Sequence, residues 1–491
     1  MAVAGMVRPD QEIRGSLGMA ALASQRITGR TARPAPYRRT PMARCGWLSL
    51  AALLATPASA DPGASSRIAA ALAVPSPTAA PGCAVGIFRA GKTAELVNAG
   101  AADVAAGRAI GSDTQFYAAS VSKQFTAIAL MQLVVAGKVS LTEDIRRYIP
   151  ELPDYGTTVT VQMLLNMSGG IRDSLALLAL EGNLDISTPR RADALAGVLR
   201  QKDTNFTPGT QYDYTNGGYL LLSEIVERVS KQSFEHYVNT QVLKPLGMTR
   251  SFMMLGKRTT DADASRGYVA ADGKITPADA YPLFGGSGGL ITTVNDLAKW
   301  DHDIDSGHMV WTPEITRLMT TPGTFTNGAP VVRSGRGIAY GNGLIIGPHW
   351  FHHTGGAAGF RTLYGRLPEK RIGIALLCNN GAIDPAKQAG EVIAALNEGL
   401  PAIAEPSTDG SALSGRYRNP NIAATYVIDV RGDTIDLTVE TAKGGKTGPI
   451  ALKRNDEGAF RGGLFNITPD DDARGFVLRM SRITLHFDRT Q

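Results

Sequence analysis

Three short constellations hold the side chains that could do chemistry in this 491-residue chain. The first is Ser120-Val121-Ser122-Lys123, the only Ser-x-x-Lys in the sequence. A spacing of three puts Ser120 and Lys123 on one face of a helix, within reach of each other. A serine hydroxyl is a weak nucleophile until a neighbouring base takes its proton. A nearby ammonium and a helix N-terminus both favour the alkoxide. The second is Tyr214-Thr215-Asn216, set between Thr207-Pro208-Gly209 and Gly217-Gly218-Tyr219. A loop tyrosine beside a cation can take or pass a proton, and Asn216 can hold a substrate amide or carbonyl from one side. The third is His353-Thr354-Gly355-Gly356, at a strand, where glycines let a ligand approach the backbone closely. The N–H groups of Ser120 and Gly356 could form an oxyanion hole, in which one donor is worth about 2.7–4 kcal/mol of barrier. Taken singly, each has a plain structural reading: a capping serine, an Asn-Gly turn, and a strand ending in a glycine turn.

Other motifs compete. Lys446-Thr447-Gly448 follows Lys443-Gly444-Gly445 between two alternating strands, where a solvated hairpin tip is expected. The other reading is a loop reaching over the active site. Gly285-Gly286-Ser287-Gly288-Gly289 has the Gly-x-Ser-x-Gly spacing of a nucleophile elbow. That elbow needs a full strand before it and a helix directly after. Here Tyr281–Phe284 is short and contains Pro282, and the next helix begins only near Asn295. His349, His352 and His353 suggest a metal site, but on a strand His352 points opposite to the other two. No metal and no cofactor is expected.

The elements that must position these residues can be read from periodicity. A helix is expected over Ser65–Leu72, then an apolar strand Cys83–Phe88, a turn at Ala90-Gly91-Lys92, and its hairpin partner Ala94–Ala99. Ser120 opens a segment, Phe125–Val135, that is hydrophobic nearly all round and therefore reads as a buried helix closed by Gly137. Amphipathic helices are expected near Val161–Asn166, Gly218–Val229, Phe234–Leu243 and Asp296–Asp303. Late strands follow at Trp350–Thr354, Arg361–Leu367 and Ile372–Cys378, and a last helix at Ala386–Leu396. Beyond Pro401–Pro406 the pattern turns to strict alternation: Tyr426/Ile428/Val430, Ile435/Leu437/Val439, Phe476/Leu478/Met480, then Ile483–Phe487. Period two with turn residues between means antiparallel strands, so residues 405–491 read as a separate small β domain.

The formal net charge of +6 is misleading. The first 60 residues hold eight arginines and two acids, leaving 42 basic against 42 acidic residues over 61–491. The excess therefore argues neither for nucleic acid nor for an anionic substrate. The same stretch contains an apolar run, Trp47–Ala55, followed by Thr56-Pro57-Ala58-Ser59-Ala60. Arginines, a short apolar run and an Ala-x-Ala end describe a secretory signal, with cleavage expected after Ala60. The run is too short to span a bilayer, which needs about 20 residues. Met42 stands immediately before the signal as a whole, which includes Arg44, and is an alternative start. Arg38-Arg39 has poor flanks for a twin-arginine signal. Export to the periplasm or medium is expected. Cys45 belongs to the leader, which leaves Cys83 and Cys378, enough for one bridge and not for a scaffold.

The order and setting of the three constellations resemble the serine β-lactamase and penicillin-binding protein superfamily, closest to its class C-like branch with D-aminopeptidases, DD-carboxypeptidases and esterases. Framework segments are similar too: Leu164-Leu165-Asn166-Met167-Ser168-Gly169-Gly170, Pro245-Leu246-Gly247-Met248, Gly288-Gly289-Leu290 and Asp296-Leu297-Ala298-Lys299-Trp300. The resemblance covers roughly 65–400. It implies an α/β domain over 61–400, with an antiparallel sheet flanked by helices and a helical lobe. The C-terminal β domain, 405–491, would be a small lipocalin-like barrel or sandwich.

The resemblance also implies roles. Ser120 would form an acyl-enzyme, Lys123 and Tyr214 would share the base role, and Asn216, Thr354, Gly355 and Gly356 would bind substrate. His353 would stand where a Lys-Thr-Gly lysine stands. Histidine is not a fixed cation, which weakens an anchor for a carboxylate and favours amide, peptide or ester substrates over β-lactams. In the related fold the first strand pairs with the second strand after His-Thr-Gly. Cys83 and Cys378 would then be neighbours, able to form a disulfide in an oxidising compartment. A small-molecule or peptide substrate is expected, with no nucleic acid and no membrane span; oligomeric state is left open. The competing class is a binding protein, which the presence of Ser120, Lys123, Tyr214 and Asn216 argues against.

Overall fold

The apolar runs Cys83–Phe88 and Ile372–Cys378 show no polar alternation, and their place in the fold explains it. Both are central strands of a sheet that is covered on both faces. The computed structural model describes residues 63–72 and 80–491, apart from 184, 255, 257–261, 272–273, 279, 334–337, 402–412, 421, 443, 455–458, 463–464, 470–474, 481–482 and 491. The leader with its cleavage point after Ala60, the alternative start Met42 and most of the linker after Pro401 lie outside the described residues.

Seven strands make the main sheet: β1 (Cys83–Arg89), β2 (Lys92–Ala99), β3 (Ala339–Tyr340), β4 (Ile345–Ile346), β5 (Phe351–Ala357), β6 (Phe360–Leu367) and β7 (Ile372–Cys378). Their order is β3-β4-β5-β6-β7-β1-β2, antiparallel throughout. Alternate residues of β1 and β7 face opposite cores. Cys83, Val85, Ile87, Ile374 and Leu376 pack under α1 (Ala64–Leu72) and the last helix, Pro385–Ala395. Ala84, Phe88, Ala375 and Leu377 face the larger core, which includes α2 (Ser122–Val135) and the helical lobe. The β1–β7 register sets Cys83 opposite Cys378, and the two are joined as a disulfide.

Every side chain of α2 from Ser122 to Met131 is buried; the nearly all-round apolar run from Phe125 required this of its own part, and the polar Ser122, Lys123 and Gln124 are buried with it. The two framework motifs Pro-Leu-Gly-Met and Asp-Leu-Ala-Lys-Trp meet each other. Lys299 donates to the Gly247 carbonyl while paired with Asp296.

The C-terminal strands run from Gly415–Arg418 to Ile483–Arg489 and close an eight-stranded barrel, the first pairing with the last through Tyr417 and Arg489. Of the two forms expected, the barrel is the one formed. Its interior is filled by Tyr417, Ile428, Leu437, Phe460, Phe476 and Phe487, the inward half of the alternation. Arg479 of this barrel lies 3.4 Å from Asp213, the residue before Tyr214. No helix among the described residues is long and apolar enough to cross a membrane.

Candidate active site

The chain reaches Ser120 through a tight 3-10 turn, Ala119–Val121, that runs directly into α2. Ala119 has a φ of 47°, in the left-handed region that costs a non-glycine residue about 1–2 kcal/mol. Two side chains and a glycine pin this strained turn. Ser122 Oγ donates to the Ala119 carbonyl at 2.6 Å and accepts from Leu290 N at 3.0 Å. Thr362 Oγ1 on β6 donates to the Ala118 carbonyl at 2.7 Å. Gly355 on β5 lies against the same turn: a Cβ there would stand 2.4 Å from Ala118 O and 3.1 Å from Ser120 N. Gly356, the next residue, is exposed. Thus the Ser120 turn and the His-Thr-Gly strand are packed backbone to backbone.

Lys123, one turn along, is fully buried. Its Nζ lies 3.2 Å from Ser120 Oγ, 2.9 Å from Asn216 Oδ1 and 2.9 Å from the Ser287 carbonyl. It also sits 4.7 Å from the centre of the Tyr214 ring. Burial lowers this ammonium to about 7, and the Asp173 carboxylate pulls it partly back. The Tyr214 hydroxyl donates to Ser120 Oγ at 2.8 Å. The structure therefore brings together Ser120, Lys123, Tyr214 and Asn216 from two segments about 90 residues apart.

The Tyr214 loop is held by framework residues. Met167, itself at φ 63°, accepts from Asp213 N through its carbonyl and from Thr215 N through its sulfur. Asn216 then opens α4, and helices are numbered with α3 as Ser174–Leu180 and α4 as Asn216–Ser230. Thr215 caps α4 by accepting from Gly217 N.

His353 is buried, with its ring 6.2 Å from that of Tyr214, centre to centre. Its Nδ1 bonds the Thr354 carbonyl at 2.6 Å, which places the proton on Nδ1, and Nε2 accepts from the Tyr340 hydroxyl at 3.0 Å. Burial, with the charge of Lys123 adding to it, holds the imidazole down to about 3. His353 is therefore a neutral group at working pH. His352 turns the other way and stacks on Trp350, with ring centres 3.7 Å apart. No cluster of metal-ligating residues occurs among the described residues.

Ser287 takes part through its backbone. Its carbonyl holds Lys123, and the glycine loop that delivers it is tied to α2 by Thr126 Oγ1, which donates to Gly286 O at 2.6 Å. Gly286 has a φ of 121°, and a Cβ there would meet Ser223 Oγ at 2.8 Å. Lys446 stands at the foot of a solvated hairpin turn, one position inside the strand rather than at its tip. It begins a barrel strand, Lys446–Arg454, and is exposed and paired with Glu440 at 2.9 Å. The turn closes ahead of it, with the Gly445 carbonyl accepting from Thr441 N.

Sequence reasoning missed three participants: Asp173, Tyr340 and the Ser287 carbonyl. Asp173 had a legible signal only as a helix cap ahead of Ser174-Leu175-Ala176-Leu177. Tyr340 sits in a two-residue strand that no pattern marks.

Comparison with known proteins agrees with this geometry. The family model Beta-lactamase matches residues 69–398, and the chain belongs to that family. A D-aminopeptidase of Cereibacter sphaeroides is 27% identical over 415 residues, covering 84% of this chain and 75% of the relative. The octameric penicillin-binding protein homologue from Pyrococcus abyssi superposes with a TM-score of 0.61 at 26% identity, over 83% of this chain and 96% of that one. The D-amino acid amidase from Ochrobactrum anthropi SV3 shares the fold, with a TM-score of 0.57 at 21% identity, over 68% and 98% of the two chains. The chain is a serine hydrolase of the β-lactamase superfamily.

Proposed function

We propose that this hydrolase cleaves amide bonds of D-aminoacyl type, with esters as secondary substrates, through an acyl-enzyme on Ser120. The observation that carries the reading is the convergence of Tyr214 and Lys123 on one hydroxyl, at 2.8 and 3.2 Å. A neutral Lys123 has two N–H bonds and one lone pair. Asn216 Oδ1 and the Ser287 carbonyl accept those two N–H bonds, so the lone pair is left facing Ser120. Ser120 Oγ attacks the acyl carbon as its proton passes to Lys123. The N–H groups of Ser120 and Gly356 receive the oxyanion. The C–N bond then breaks, and the departing amine takes the proton through Tyr214. Water repeats the sequence on the ester and frees Ser120.

The substrate class follows from His353 and from the relatives. A neutral histidine at the Lys-Thr-Gly position offers no fixed cation to the carboxylate of a β-lactam or a peptide C-terminus. The D-aminopeptidase relative supports an amide with a D-aminoacyl side. The Trp47–Ala60 signal and the Cys83–Cys378 bridge both support export.

A panel of D-alanine p-nitroanilide, D-Ala-D-Ala peptides, p-nitrophenyl acetate and nitrocefin tests the reading. D-aminoacyl amide turnover is expected to exceed nitrocefin turnover, with Ser120→Ala abolishing both. Nitrocefin hydrolysis far above the amide and the ester would overturn it.

A further inference from the structure

We infer that Asp173 is a positioning residue for the base: it fixes which end of the Asn216 amide faces Lys123, and so keeps the lysine lone pair aimed at Ser120. The inference rests on the proposed roles of Ser120 and Lys123. It starts from an ambiguity in asparagine. The amide oxygen and nitrogen are nearly the same size, so Asn216 can present either to Lys123 unless a third group decides. If the oxygen faces Lys123, it accepts an N–H and leaves the lone pair open. If the nitrogen faces a neutral Lys123, its N–H donates into the lone pair and caps the base. One rotation of a side-chain amide therefore separates an active site from an idle one.

Asp173 decides between the two. Its Oδ2 accepts from Asn216 Nδ2 at 2.9 Å and from Asn216 N at 2.7 Å. A carboxylate can only accept, so it must face the Nδ2 end, and Oδ1 of Asn216 is turned to Lys123 at 2.9 Å. The carboxylate is itself held still. Its Oδ1 accepts from Leu175 N and Ala176 N, both at 2.9 Å, in the first turn of α3. One side chain thus ties the start of α3 to the start of α4, where Tyr214 enters. Asn216 retains one Nδ2 hydrogen beyond the one given to Asp173, so the lock leaves a donor for substrate.

The test uses the whole chain and p-nitrophenyl acetate, at about pH 9, where Lys123 is neutral. Parent turnover that Ser120→Ala abolishes stands or falls with the proposed nucleophile. The ratio of Asp173 variants to parent stands or falls with the present inference. Asp173→Asn is expected to lower kcat by on the order of 10²-fold, as displaced catalytic groups do, while KM moves less than about threefold. Asp173→Ser keeps a capping oxygen for α3 but cannot reach Asn216. It should lose kcat equally, with KM within about threefold of the parent and the variant fully folded at the assay temperature by circular dichroism, whereas a merely structural role would lower only the folded fraction. A kcat within about threefold of the parent for Asp173→Asn or for folded Asp173→Ser overturns the inference.

Discussion

Lys123 shows how a few atoms fix where a lone pair points. Its ammonium has three hydrogens, and Asn216 and Ser287 account for two of them, so only the third position is left for chemistry. Removing Lys123 from water lowers its pKa to about 7, near the range where a general base works best. The sign follows directly. The base is competent when unprotonated, so kcat/KM should rise with pH through a limb near 7 and stay high above it. A pH profile on D-alanine p-nitroanilide checks this; activity falling as pH rises through 7 would remove Lys123 from the base role. His353 makes the complementary point, being a neutral acceptor for Tyr340 where a cation is the alternative. Replacing it by lysine puts a cation beside Tyr214, whose ring centre lies 6.2 Å from that of His353. His353→Lys is expected to raise the nitrocefin-to-amide rate ratio by on the order of tenfold, about 1.4 kcal/mol of differential binding. An unchanged ratio would show that this position does not set selectivity.

At the scale of elements, the site is a meeting of backbones. The nucleophile turn and β5 approach so closely that only hydrogen fits at Gly355, whose Cβ would fall 2.3 Å from Thr362 Oγ1 and 2.4 Å from Ala118 O. Gly355→Ala must push the Ser120 turn off β5. It should reduce turnover by on the order of 10²-fold, while overpacking lowers stability by only about 1–3 kcal/mol. Steady-state kinetics beside thermal melting separates the two effects, and an alanine variant at parental kcat would show that the turn tolerates the shift. The buried helix α2 was legible because Phe125–Val135 is apolar nearly all round, and the strand Ile372–Cys378 was read with the bounds that the structure gives it. The helix α3 was not read. Its seven residues are too few to show a period, and its apolar sequence fits a strand as well as a helix. The strands β3 and β4, two residues each, are likewise set by pairing and by no local pattern.

Across the whole molecule, the sheet, the helical lobe and the barrel divide the work. We place the domain boundary in the linker after Leu400, since residues 83–378 supply every side chain of the candidate site. The barrel reaches back through Arg479 to Asp213, a half-exposed pair worth at most about 1 kcal/mol. The Cys83–Cys378 bridge closes a loop with a sequence separation of 295 and joins strands already paired in register. Its main effect is to restrict the unfolded chain, typically by about 2–4 kcal/mol. The double variant Cys83→Ala/Cys378→Ala should therefore melt a few degrees lower, by less than about 2–4 °C per kcal/mol, the figure for smaller domains, with kcat within about twofold of the parent. An equal melting temperature would mean that the bridge adds nothing to stability.

The sequence by itself determined the spacing of Ser120 and Lys123, the Tyr-x-Asn and His-Thr-Gly segments, the buried helix and the alternation of the barrel strands. These are matters of local spacing, and local spacing is written in the chain. Only the tertiary structure decided that His353 is neutral, that the glycine-flanked Ser287 acts through its carbonyl, and that Asp173 orients Asn216. Charge state and hydrogen-bond direction depend on burial and on partners distant in sequence, such as Tyr340, Leu290 and Thr362, and no window of sequence contains them.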